Sequence, residues 1–156
     1  LFYAGFAYIK AQEYPIADSM FAIYAEKFPN DIYGHYWRAR ANSYIDSTSE
    51  LGLAVPHFQR FIELAEKDTA ENRRTLIQAY GYLAAYSANV LKDSEAAVAY
   101  FDKILVLDPG NADAQRYKEI LQKQLPQKNS GSNSGSKPSA GQYPGPYAGI
   151  PAPDLP

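Results

Sequence analysis

Tyr14-Pro15-Ile16-Ala17-Asp18-Ser19-Met20-Phe21-Ala22-Ile23-Tyr24-Ala25-Glu26-Lys27-Phe28-Pro29-Asn30-Asp31 is the stretch that decides the fold. Ala17, Met20, Phe21, Tyr24 and Phe28 fall at i, i+3, i+4, i+7 and i+11, one face of an α-helix, and Pro29-Asn30-Asp31 stops it. Two later stretches repeat the pattern. Between Ala54 and Glu66 the stripe is Ala54, Phe58, Phe61, Ile62 and Ala65. Between Ser94 and Asp108 it is Ala97, Tyr100, Phe101 and Ile104, ended by Pro109-Gly110. Each stripe holds an alanine with an aromatic residue four positions on, and the alanines lie 37 and 43 residues apart.

Each of these helices follows another, over about Leu1–Ala11, Ile32–Ile45 and Ala70–Leu91. Ser47-x-x-Glu50 predicts a capping box ahead of the second stripe, and Pro56 requires a place in that helix's first turn. Asp93 or Ser94 is the expected cap of the third. No segment alternates like a strand between hairpin turns. The expected fold is therefore all-α, an α-solenoid of antiparallel helix-pair repeats over residues 1–125. A last helix from Asn111 to Gln124 closes it, with Ala114, Tyr117, Ile120 and Leu121 inward and Gln115, Arg116, Lys118, Glu119, Gln122 and Lys123 in water.

Beyond Pro126 the character changes. Residues Ser130 to Ser136 are only Ser, Gly and Asn, and seven of the chain's 11 prolines fall between Pro126 and Pro156. Such a segment buries too little apolar surface to offset its ordering entropy. Residues 126–156 are thus expected to be a flexible, disordered tail, with Tyr143 and Tyr147 as its contact residues for a partner. The chain opens inside a helix without Met, which predicts a C-terminal fragment preceded by further repeats.

The formal net charge is −2, with no clustered basic face of the kind nucleic acid requires. There is no cysteine, which excludes thiolate sites, and no apolar run of about 18 residues for membrane insertion. His35 and His57 are the only histidines and are too few for a metal site. Glu63, Glu66, Asp68 and Glu71 read as a solvated helix end, lacking the Gly-centred loop of calcium sites. Gly131 to Lys137 has the wrong spacing for a phosphate loop. No catalytic residue, metal or cofactor is expected.

The recurring pair resembles the tetratricopeptide repeat, whose pattern of large-x2-L-G-x2-Y, A-x3-F and P spans about 34 residues. Leu1-x2-Ala4-Gly5-x2-Tyr8, Ala17-x3-Phe21 and Pro29 match it in register. Tyr80-x2-Leu83-Ala84-x2-Ser87, Ala97-x3-Phe101 and Pro109 match again. The middle unit, His35-x2-Arg38-Ala39-x2-Asn42, keeps only the small residue, and its turn from Tyr44 to Leu53 is longer. The Phe28-Pro29-Asn30-Asp31 ending and the Trp37-Arg38-Ala39-Arg40-Ala41 string resemble bacterial members of the Bacteroidetes type.

The resemblance implies that the first helix of each pair lines a groove. The implied groove residues are Phe2, Phe6 and Ile9, then Tyr33, Tyr36, Arg40, Ser43 and Tyr44, then Gln78, Gly81, Ala85 and Asn89. Arg40 would hold a carboxylate or a backbone carbonyl of an extended ligand. Two readings of Tyr33, Tyr36 and Tyr44 stay open, contact with a partner or packing between repeats. Phe2 and Phe6 read as core, or as contacts of upstream repeats. Some members clamp the acidic tail of heat-shock chaperones. Here Phe2, Phe6 and Trp37 stand at the matching positions, so the resemblance does not extend to that clamp. The expected function is a non-enzymatic scaffold or adaptor binding a protein or peptide segment. The alternative is a structural subunit of a larger assembly, such as the bacterial cell envelope, anchored through the tail.

Overall fold

A computed structural model describes residues 1–126. Among them the chain forms seven α-helices and no strand: α1 Phe2–Lys10, α2 Tyr14–Lys27, α3 Ile32–Ile45, α4 Val55–Ala65, α5 Arg73–Asn89, α6 Ser94–Leu107 and α7 Ala112–Gln124. Residues 127–156, with Tyr143 and Tyr147, lie outside the described residues. Their packing groups the helices into two compact units, one of residues 1–79 and one beginning at Tyr80, so the division falls within α5.

In the first unit α1 packs on α2, α2 on α3 and α3 on α4. The stripes read from the sequence are its interior. Ala17, Phe21, Ala54 and Phe58 are all buried, with Phe61, Ile62, Leu64 and Ala65 continuing the α4 face. A ring such as Phe21 removed from water contributes about 2–3 kcal/mol. The helices come close because small residues face large ones. A methyl group at Gly5 would meet the Phe21 ring at 2.9 Å, and one at Gly34 would meet Tyr24 at 2.8 Å. In the second unit α6 packs on α7, and Tyr80 faces Tyr100 with ring centroids 6.4 Å apart. Leu83, Ala84, Ala97, Phe101, Ile104, Ala114, Tyr117 and Leu121 are buried there.

The turns repeat along the chain. Phe28–Asp31 and Asp108–Asn111 each close with a backbone bond across four residues, Asp31 N–H to Phe28 O at 3.0 Å and Asn111 N–H to Asp108 O at 3.1 Å. Asp31 then caps α3 by accepting from the amides of Tyr33 and Gly34, and Asn111 caps α7 by accepting from Ala114. Six residues past each proline a side chain returns to the proline carbonyl. His35 Nε2 donates to Pro29 O at 3.0 Å, and Gln115 Nε2 donates to Pro109 O at 2.8 Å. The turns inside pairs also match. The Glu13 amide donates to Tyr8 O and the Asp93 amide to Ser87 O, each at 2.9 Å. Tyr8 and Ser87 are the residues that the tetratricopeptide register places together. Gln12 and Lys92 stand two residues ahead of α2 and α6 in the left-handed region, with φ of 62° and 57°.

Two boundaries depart from the sequence reading. The Ser47-x-x-Glu50 box caps nothing: α4 begins at Val55 behind Ala54, with no side-chain cap. The intervening turn is held instead by Asp46, whose carboxylate accepts from the Leu53 amide at 3.3 Å, and Ser49 and Gly52 turn left-handed there. Pro56 sits in the first helical turn, where its missing N–H costs nothing. Finally α5 starts at Arg73 and not at Ala70. A 3-10 turn over Glu66–Asp68 intervenes, and Asn72 fastens it by donating to Ala65 O and Asp68 O at 3.3 and 2.9 Å.

The contact at Gly34 sets one prediction. Gly34→Ala gains up to about 1 kcal/mol of helix propensity, but overpacking costs about 1–3 kcal/mol. The variant should therefore unfold at lower urea than the parent; a higher midpoint would show that Tyr24 yields without cost.

Candidate functional site

Tyr33, Tyr36, Arg40 and Tyr44 are spaced by three, four and four residues, so α3 carries them as one stripe. Their depths differ. Tyr33 is 41% exposed and Tyr44 half-buried, whereas Tyr36 and Arg40 keep only 1% and 6% of their surface. The stripe thus has two buried members between two accessible tyrosines.

Tyr36 packs among Trp37, Phe58 and Phe61, at centroid distances of 5.4, 6.4 and 5.2 Å. Its hydroxyl donates to Oε1 of Gln78, itself buried, which ties α3 to the start of α5. Burial pushes the phenol pKa up, and the Arg40 guanidinium beside it pulls the other way, as does Arg74 from farther off. Arg40 donates to the Tyr44 hydroxyl at 2.5 Å, with its guanidinium 5.3 Å from the center of that ring. Tyr14, from the first turn of α2, stacks on Tyr44 with centroids 4.6 Å apart. The result is a largely buried cation held among phenol groups.

The implied groove residues of α1 are packing residues. Phe2 lies on Phe21 and Tyr24, Phe6 makes a T-shaped contact with Trp37 at 5.1 Å and has the Lys10 ammonium over its ring, and Ile9 is buried. Ser43 is half-buried and its hydroxyl donates to Arg40 O. In the second unit Gly81 is buried, while Ala85 and Asn89 are half-buried. Trp37, a surface position by the clamp alignment, is 1% exposed between Phe6, Phe21 and Tyr36. Neither the stacking role of Tyr14 nor the close approach at Gly34 has a signal in the sequence. Gly34 sits among aromatic residues as a poor helix former, and Tyr14 precedes a proline, so neither looked like part of a stripe.

A second polar group lies where α2, α3 and α4 meet. Asp18 accepts from Arg38 Nε at 3.0 Å and from Asn42 Nδ2 at 2.6 Å. His57 of α4 is half-buried beside it, and its pKa is lowered to about 4, first by burial and then by the Arg38 cation, with Asp18 acting in the opposite direction. The carboxylates read as a solvated end have local roles. Glu63 pairs with Arg60 at 2.9 Å, and Asp68 accepts from the Glu71 amide at 3.1 Å.

No protein-family model and no curated protein matches the chain. Among solved structures it is similar to the C-terminal part of a TPR repeat-containing protein from Cytophaga hutchinsonii, at 37% sequence identity and a TM-score of 0.70. The match covers 74% of this chain and 45% of that one, so the chain spans less than half of that structure's length. The resemblance read from Gly5, Ala17, Phe21 and Pro29 is thereby shown: the helix pairs are of the tetratricopeptide type, like those of a Bacteroidetes protein.

His57 gives a prediction with a definite sign. Unfolded histidine takes up a proton near pH 6.5, but His57 in the folded chain does so only at about 4. Stability present above pH 6.5 is therefore lost as pH falls through that window. His57→Gln should lose less melting temperature than the parent between pH 7 and 4.5. Parallel profiles would contradict the assignment.

Proposed function

We propose, from the tetratricopeptide-type repeats of this chain, that it is a protein-interaction scaffold and that α3 is where it grips an extended partner segment. Helix-pair repeats of this type support protein binding in general. No apolar helix among the described residues is long enough to cross a membrane. The observation that carries the finer reading is the Arg40–Tyr44–Tyr14 group on the same α3 stripe as exposed Tyr33. An Arg held in place by phenol rings loses little side-chain freedom when a ligand oxygen arrives. Tyrosine supplies wide contact area with only two side-chain torsions to fix. Tyr36 and Gln78 act indirectly on this reading, by locking the floor on which Arg40 rests. Asn89 and the tail residues Tyr143 and Tyr147 are further candidate contacts.

The test is selection from a random-peptide display library against the full chain. Selected peptides should share an extended motif with an acidic residue or a free C-terminal carboxylate. Tyr33→Ala, which removes an exposed ring, should weaken them about tenfold or more with the melting temperature unchanged. Tyr44→Phe, which removes only the hydroxyl that Arg40 donates to, should change affinity without unfolding the chain. Peptides that bind both variants as well as the parent would refute the α3 site. Peptides lost only on deletion of residues 127–156 would favor an assembly subunit anchored through its tail.

A further inference from the structure

The six arginines of the chain differ in what they hold. Arg38 pairs with Asp18, Arg60 with Glu63 and Arg116 with Asp113. Arg40 donates to Tyr44, and Arg73 is engaged as well. Arg74 is exposed and makes no hydrogen bond or ion pair with any described residue. Its place on α5 is particular. α3 begins three residues ahead of the motif residue His35, whereas α5 begins seven ahead of Tyr80. So α5 carries about one additional turn before its repeat pattern starts. Arg74 lies in that turn, outside the tetratricopeptide register. Four residues on, and so on the same helix face, is Gln78, which accepts from the Tyr36 hydroxyl. Two guanidiniums act on that hydroxyl, Arg40 from α3 and Arg74 from α5.

The two cations are not equivalent. Arg40 keeps only 6% of its surface and has a donor committed to Tyr44, so it offers a ligand little to touch. Arg74 stands in water with its donors unused. Like charges that converge on one buried hydroxyl repel, and an anion arriving from solvent relieves the repulsion. We infer that Arg74 is the solvent-side cation of the α3 site and that it engages an acidic side chain of the partner segment. This rests on the α3 reading above and assigns its charged contact to α5. The planar guanidinium can meet a carboxylate through two parallel hydrogen bonds, while exposed Tyr33 supplies contact area on α3. Arg40 is then a positioning charge, adding its field without needing to reach the ligand. The additional turn of α5 thereby has two uses. Gln78 fixes Tyr36, and Arg74 sets the charge of the segment that binds.

The assignment is tested by selecting from a random-peptide library in parallel against the full chain and its Arg74→Glu variant. The parent should return peptides with Asp or Glu at one shared position, and the variant should lose that preference or replace it with Lys or Arg. An acidic peptide chosen by the parent should bind Arg74→Gln about fivefold more weakly, and Arg74→Lys should recover part of the loss. The melting temperature should not change, because Arg74 is exposed. Arg73→Gln removes the same charge from the neighboring residue and should alter binding little. Added salt should weaken the parent's binding and barely affect that of Arg74→Gln. Equal losses with Arg73→Gln and Arg74→Gln would overturn the inference, because net charge alone would then be acting. So would the same acidic peptides from both selections; if Tyr33→Ala abolished their binding, the α3 site itself would stand. Peptides indifferent to both Tyr33→Ala and Arg74→Gln, or no enrichment in either selection, would overturn the inference and the α3 reading together.

Discussion

The first unit depends on how closely its helices approach. Gly5 lies against the Phe21 ring, and Gly34 lies against Tyr24 with the Ala25 backbone just behind it. A single methyl group at either place would fall inside contact distance. With the gap closed, Phe21 reaches Trp37, Trp37 reaches Phe6 and Tyr36, and Tyr36 reaches Phe58 and Phe61. One aromatic chain thus runs from α1 to α4, and each ring is fixed by the one before it. The orientation of α3, and so of its tyrosine stripe, follows from that chain.

Backbone geometry reinforces the same repeat. Gln12, Ser49 and Lys92 adopt left-handed φ values, a conformation that costs a side-chain-bearing residue about 1 kcal/mol. Each stands in a turn within a helix pair. The bonds from Glu13 to Tyr8 and from Asp93 to Ser87 over-determine two of these turns, which is how the strain persists. Between pairs, Asp31 and Asn111 do equivalent capping work after equivalent prolines. The middle pair differs because its turn is longer and Asp46 spans it.

Much of the fold was legible in the sequence. Helix periodicity placed α3 at Ile32–Ile45 to the residue, and the Ala-x3-aromatic pairs identified three buried contacts. Misreadings came where local chemistry offered several caps. Ser47 and Glu50 had the right spacing but stood too far from Val55, and Asn72 was hidden in a polar run where a helix start was expected earlier. Side-chain depth was the least legible feature. Groove register by itself cannot separate Tyr33 from Tyr36, which differ by one helical turn. Tyr36 is buried against Phe58 and Phe61 of α4, with its hydroxyl bonded to Gln78 of α5. That contact spans 42 residues, a separation at which sequence pattern carries no information about pairing.

The proposed scaffold activity makes use of this difference in depth. Buried Tyr36 and Gln78 hold Arg40, Arg40 and Tyr14 hold Tyr44, and the accessible edges of Tyr33 and Tyr44 are left for a partner. The most direct measurement is amide and side-chain NMR of the chain titrated with a selected peptide. Shift changes should concentrate on Tyr33, Ser43, Tyr44 and Tyr14, with smaller ones at Arg40. Changes confined to α7 or to residues 127–156, with the α3 stripe silent, would contradict the account.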